Sequence, residues 1–256
     1  MTLADKRKVI RNLLDEKNPA DARDDYYAFH HPDEKTQLVT QDAAGSAGPG
    51  YVCLARTGMD LFRPLVTLRF SRSQTTGEID IKAAASLVYD AVPVGTAVIL
   101  SAPAEYRPVI GAFFDVHKEE QLRIYVLDRG RFRPIINVLV AQSESYNGLP
   151  RYVARSGASD PAGGRGEILA SAGLNWRSTN FAEIYVHTKA PHRRQGLGRS
   201  VVASIVQHTL DSGRKPLYAV NIANQASIQL AESVGFVDIG ISDIMMEGTL
   251  RPRPSA

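Results

Sequence analysis

The sequence predicts an α/β protein, and three observations carry that expectation. Strand-like and helix-like segments alternate along its 256 residues. The order strand, helix, strand, helix, strand occurs over about residues 65–127 and again over about 181–246. One stretch also joins a strand to a long amphipathic helix through a basic turn that contains glycine. The repeated halves share no obvious identity, so the duplication rests on element order alone. It divides the chain into two halves, residues 1–130 and residues 131–256.

The elements follow from local signals. Thr2 and Asp5 make a helix-start signal, and the stripe Val9, Ile10, Leu13, Leu14 ends before Pro19. Gln41–Gly50 has loop composition, after which Tyr51–Ala55 and Leu65–Phe70 read as a hairpin of strands. Ile79–Val92 fits a helix, Thr96–Leu100 a buried strand, Tyr106–Phe114 a second helix and Leu122–Leu127 a strand. Ile135–Val140, Arg151–Ala154, Glu167–Ala172 and Phe181–Thr188 read as strands, with a loop over Ser156–Gly166. Leu197, Val201, Val202, Ile205, Val206 and Leu210 trace one helical face that Gly213 stops. Pro216–Asn221 then supplies a strand, and Asn224 caps a helix that runs to Gly235-Phe236. The tail Arg251–Ala256 is expected to be disordered.

Composition narrows the function. With 44% hydrophobic and 22% charged residues the chain can bury a core without staples. A single cysteine, Cys53, makes no internal disulfide and no thiolate zinc site, which fits a reducing, cytoplasmic setting. The start of the chain is amphipathic rather than a long apolar signal, and no run reaches the length of a membrane helix. The net charge is +3, so no membrane or nucleic-acid partner is expected: the local cluster Lys189, His192, Arg193, Arg194, Arg199 is mixed with glycines and suits a small phosphorylated ligand better than a long polyanion. The six histidines include no His-Glu-x-x-His, and no metal is expected. Neither length nor composition fixes an oligomeric state.

The informative stretch runs from Phe181 to Arg199: a strand, a short basic turn, Gly196 and Gly198, and a long helix. Glycines let the backbone approach an anion, and the free N–H groups at a helix start favour negative charge. A dinucleotide-binding turn would need glycine at position 201, where this chain has Val201. The Gly-Lys-Ser/Thr loop of nucleotide triphosphatases is absent as well.

Arg193-Arg194-Gln195-Gly196-Leu197-Gly198 resembles the Q/R-x-x-G-x-G/A signature of GNAT acyltransferases. Asn224-Gln-Ala-Ser227, followed by Leu230-Ala-Glu-Ser-Val-Gly235-Phe236, resembles their later helix motif. The resemblance covers roughly residues 165–240; before about residue 130 the glycine signature is missing. It implies a mixed, mainly antiparallel central sheet flanked by helices, a GNAT fold, in tandem if the first half is a degenerate copy. It further implies direct acyl transfer from acetyl-CoA, as cosubstrate, to an amine of a small molecule or peptide, with the first half shaping or covering the acceptor site. The donor would lie between two splayed strands. Its contacts would come from Val186, His187, Thr188, Arg193, Arg194, Gln195, Gly196, Leu197, Gly198, Arg199, Asn224 and Ser227. In the family a bulge in the strand turns a backbone N–H toward the acyl carbonyl, and Val186 is the residue best placed for that; because the chemistry uses backbone, Val186 can also be a packing residue.

An attacking amine must be neutral, so a base is needed. Glu183, in a Phe-Ala-Glu-Ile context similar to catalytic strands of the family but one residue nearer the glycine turn, and His187 are the candidates. Surface or structural roles explain either equally simply. Many relatives place a tyrosine where this chain has Ala231, so Tyr185, Tyr218 or water would have to assist the leaving thiolate. Trp176 and Asn175 belong to packing or to an acceptor pocket, and Asn224 and Ser227 either contact the donor or serve only as helix caps. The departure at Ala231 leaves open a noncatalytic acyl-CoA sensor.

Overall fold

The structure, a computed structural model, describes residues 1–41, 49–58, 60–73, 76–137, 139–145, 148–157 and 166–253. The chain forms two compact units, one of Met1–Leu122 with Ser242–Ala256, the other of Arg123–Ile241. The central parts of the expected loops at 41–50 and 156–166, and the last three residues of the tail, lie outside the described residues.

In the first unit, α1 (Leu3–Ile10) opens with a reciprocal cap: the Thr2 hydroxyl accepts from the Asp5 N–H, and the Asp5 carboxylate accepts from the Thr2 N–H. A short α2 (Ala22–Asp25) continues into a π-helical turn at Tyr26–His30. β1 (Thr36–Gln41), β2 (Gly50–Ala55) and β3 (Leu65–Arg69) pair antiparallel in sequence. α3 (Ile81–Ala91), capped by Asp80, crosses over to β4 (Ala97–Pro103), which pairs parallel to β3 from Leu65↔Ile99 to Thr67↔Ser101. α4 (Arg107–Phe113) leads into β5 (Phe114–Leu127). Leu87, Val88, Ile110 and Phe113 of the helices close over Leu68 and Leu100 of the sheet. Beneath α2, Arg69 pairs with Asp21 at 3.0 Å and with Asp24, and Arg23 donates to the Ser101 hydroxyl at 2.9 Å.

The second unit repeats that order. β6 (Val140–Glu144), β7 (Pro150–Arg155), β8 (Ile168–Arg177) and β9 (Phe181–Thr188) form an antiparallel run. α5 (Leu197–Asp211) returns the chain to β10 (Lys215–Asn221), parallel to β9, and α6 (Gln225–Val234) leads into β11 (Phe236–Leu250). Val201, Val202, Ile205 and Val206 of α5 bury against Ala172, Leu174, Ile184 and Tyr218. The later part of β11 belongs to the first unit, where it pairs antiparallel with β4 from Asp243↔Pro103 to Thr249↔Ala97. This is the mixed, mainly antiparallel, helix-flanked sheet that the sequence predicts.

Some expectations change. The apolar run Ile135–Val140 is not a strand; the strand is Val140–Glu144. Asn137 makes the difference, because its side-chain oxygen accepts from the Leu139 N–H at 3.0 Å while its carbonyl accepts from Val140, and Ile136 stands 97% exposed. β5 begins eight residues before the expected Leu122, its polar segment His117–Gln121 having hidden it. β1 was not expected at all, since Leu38 is its only buried residue. The tail is ordered through Arg253: the Arg251 N–H bonds to Phe113, and the Arg253 guanidinium lies 4.9 Å from the Tyr89 ring centre.

Candidate functional site

The site grows from the parallel pair β9/β10. Their ladder covers only Lys215↔Phe181, Pro216↔Ala182 and Leu217↔Glu183; beyond it, Ile184–Thr188 and Tyr218–Asn221 carry no mutual pairing. Strand alternation then fixes which β9 amides face that opening. The Lys189 N–H bonds to Leu169, so odd-numbered amides here point to β8; the Asn180 carbonyl accepts from Lys215, so even-numbered groups point to β10. The Val186 N–H therefore faces the side where β10 has diverged. The expected bulge lies on the other strand: β9 runs in continuous register from Ala182 to Thr188, and the shift falls in β8 between Leu174 and Trp176.

Next comes the turn. A 3₁₀ segment at Ala190–His192 leads to Arg194, at φ 61°, and Gly196, at φ 78°. Among the described residues Arg194 is the one non-glycine with positive φ, a conformation that costs an L-residue roughly 1–2 kcal/mol. Gly196 leads into α5, whose first intrahelical bond runs from Ser200 N–H to the Gly196 carbonyl. The amides of Leu197, Gly198 and Arg199 consequently have no helical acceptor, and no side chain caps them, unlike the starts of α1, α3 and α6. The positive end of a 15-residue helix is thus presented with its donors exposed.

Gly198 sets how closely this turn approaches its neighbours. A Cβ there would stand 3.0 Å from the Thr188 hydroxyl and 3.6 Å from a Leu230 methyl. The result is a cleft of about 890 Å³ lined by Val186, His187 and Thr188 of β9, by Arg193, Arg194, Gly196, Gly198 and Arg199 of the turn, and by Asn224 and Ser227 of α6. Ala226, Gln229 and Leu230 line it too and were not anticipated; their spacing along one face of α6 is the signal that would have found them.

Other expected residues stand elsewhere. Leu197 is buried in the core, and Gln195 donates to the Pro191 carbonyl at 3.4 Å; neither is among the described residues lining the cleft. Glu183 does not line it either: it is buried, and the amide of Asn175, the extra residue of the β8 bulge, donates to its carboxylate at 2.7 Å. By alternation Glu183 shares a face with Tyr185 and His187. Lys189 is held by Glu167, and that hydrogen bond keeps the Glu167 carboxyl below its ordinary range. Arg193 leans on the Thr188 carbonyl at 3.3 Å, whereas Arg194 and Arg199 have no side-chain partner among the described residues. Trp176 is buried, as a packing role requires, and buried Cys53 has its thiol pushed up to about 12 by burial, which suppresses the thiolate.

Among the described residues no three metal-ligating side chains converge, and no helix is long and apolar enough to cross a membrane. Residues 161–241 match the model of the GNAT acetyltransferase family. The fold is similar to that of a Drosophila protein (11% identity, 96% of this chain and 95% of that one, TM-score 0.65). It is also similar to a GCN5-related N-acetyltransferase from Kribbella flavida (14%, 92% and 96%, TM-score 0.57). A tandem GNAT protein from the clavulanic acid biosynthesis pathway aligns over 100% of this chain and 98% of its own, at 12% identity and TM-score 0.56. A comparison with curated proteins finds no match. The family match lies within the second half of the chain, and the fold of the whole chain is similar to that of a tandem GNAT protein.

Proposed function

We propose that this protein is an acyl-CoA-dependent N-acyltransferase that moves acetyl from acetyl-CoA directly to an amine, with residues 131–256 as its catalytic half. One observation carries the reading. The uncapped start of α5, the Gly196–Gly198 turn and the unpaired edge of β9 open into one cleft. A pyrophosphate fits the amides of Gly198 and Arg199, with Arg194 and Arg199 supplying charge and Arg193 and Thr188 flanking them. Asn224, Ser227 and Leu230 line the same cleft beside the path of the donor arm.

The thioester carbonyl is then assigned to the Val186 N–H, the amide aimed into the strand gap, where it stabilises the oxyanion as the amine attacks. Glu183 or His187 takes the amine proton: His187 lines the cleft, and Glu183 is the buried carboxylate on the same face. The transfer needs no enzyme nucleophile.

Calorimetry with acetyl-CoA, followed by a panel of amine acceptors, tests this reading. Binding at one site together with acetylated product supports it; the absence of binding to folded protein overturns it. The buried Ala231, in place of the family's tyrosine, favours a second reading, a noncatalytic acyl-CoA sensor. Binding without turnover on any amine would select the sensor.

A further inference from the structure

We propose that Ser227 and Tyr218 form a hydroxyl relay to the sulfur that departs from the acyl donor, with Ser227 touching the sulfur and Tyr218 the positioning residue behind it. The inference deepens the acyltransferase reading and rests on it, since the relay acts only on a thioester held in the cleft.

α6 contains no tyrosine, and its Ala231 is buried at 1% exposure. The phenol next to α6 comes from β10 instead. Tyr218 follows directly after the last residue of that strand paired with β9, and it belongs to the core cluster that contains Ala231. Its ring packs at 5.7 Å from that of Phe236, which fixes the direction of the hydroxyl. That hydroxyl lies 2.9 Å from Ser227 Oγ. Ser227 is itself held, its N–H donating to Asn224 Oδ1 at 3.1 Å, and it lines the cleft together with Val186. Tyr185 is not equivalent: its hydroxyl lies over Gly173 of β8, 2.8 Å from where a Cβ would stand there, and Tyr185 is not among the described residues lining the cleft.

Either hydroxyl of the pair can donate, and the relay uses the polarity in which Tyr218 does. Each hydroxyl has one proton and two acceptor sites. When Tyr218 donates to Ser227 Oγ, the proton of Ser227 is left to point into the cleft. Burial raises the Tyr218 phenol above its ordinary range, so it keeps the proton that it donates to Ser227. In the step it serves, the amine nitrogen forms the C–N bond and its proton passes to the base. The C–S bond breaks and its electron pair goes to sulfur, which leaves as a thiolate hydrogen-bonded by Ser227 and takes a proton from solvent on release.

CoA itself, which carries the free thiol, tests the relay without any acceptor. The ultraviolet absorbance of the thiolate is followed against pH for CoA bound to the wild type, Tyr218→Phe and Ser227→Ala, each variant checked for unchanged melting. The thiol should ionise at lower pH when bound to wild type than when free. At fixed pH the thiolate-to-thiol ratio should fall about tenfold in Ser227→Ala, the loss of one hydrogen bond to a charged group, and about threefold in Tyr218→Phe. Should Tyr218→Phe not fold, Ser227→Ala decides, because it keeps the N–H that Asn224 binds. CoA bound by all three proteins with superimposed titration curves overturns the relay alone. Failure of wild type to bind CoA overturns the acyl-CoA reading and the relay with it.

Discussion

Replacing Gly198 with alanine probes the donor cradle with a single carbon. The added Cβ would sit 3.0 Å from Thr188 Oγ1 and 3.6 Å from Leu230, so the first turn of α5 must back away by a few tenths of an ångström. Stability should change little, because alanine gains about 1 kcal/mol of helix propensity over glycine and the tight contact offsets it. Ligand binding should change far more. Gly198 and Arg199 supply open amides in the cleft, and misaligning one charge-assisted bond costs about 1.5–3 kcal/mol, or roughly 10- to 150-fold in Kd. Calorimetry with acetyl-CoA, beside a melting curve, reads both quantities. A folded Gly198→Ala protein that binds within twofold of wild type would refute the assignment of the pyrophosphate to this turn.

Further outcomes follow from the same structure. Glu183→Gln should lower kcat about 100-fold in steady-state acetyl transfer while leaving acetyl-CoA affinity within twofold, since glutamine can still accept from Asn175; an unchanged kcat moves the base to His187. Gly196→Ala, forced to hold φ 78°, should destabilise the chain by roughly 1–2 kcal/mol in urea melts, and full stability would show that the turn tolerates another geometry. Calorimetry should give one acetyl-CoA per chain, because α3 starts on the Asp80 carboxylate, which accepts from Ala83 at 3.0 Å and fills the place an anion would take; two sites per chain would contradict this. Arg69→Met should cost about 3–5 kcal/mol by leaving buried Asp24 unpaired, with Asp24→Asn recovering part of it in denaturant titration; a silent Arg69→Met would dismiss the pair as structural.

The turn and helix start that line the cleft were legible because their signals are local. Gly196, Gly198, the basic turn and the apolar face of α5 sit within some twenty consecutive residues, and each works through backbone conformation or helical period. The caps by Thr2, Asp80 and Asn224 are likewise short-range, although Asp80 lacked a preceding pattern to draw notice. Illegible features depend on what a residue meets across space. Glu183 lies next to the cleft-lining segment in sequence, yet the β8 bulge turns Asn175 onto it and takes it out of the cleft lining. The Tyr218–Ser227 contact needs β10 and α6 side by side, and no periodicity encodes it. At Ile135–Val140 an apolar run was outweighed by one asparagine that satisfied the backbone locally. β1 escaped because a strand with one buried residue shows no alternation to read.

The path of the chain through β11 has a consequence for biosynthesis. Asp243–Thr249 pairs antiparallel with β4, so the sheet of the first unit waits until the whole of the second unit has been synthesised before it is complete. Until then β4 offers unsatisfied peptide groups to any passing strand, a state that invites chaperone capture or misassembly. A gene cut at residue 130 and expressed as two pieces would make that waiting state permanent.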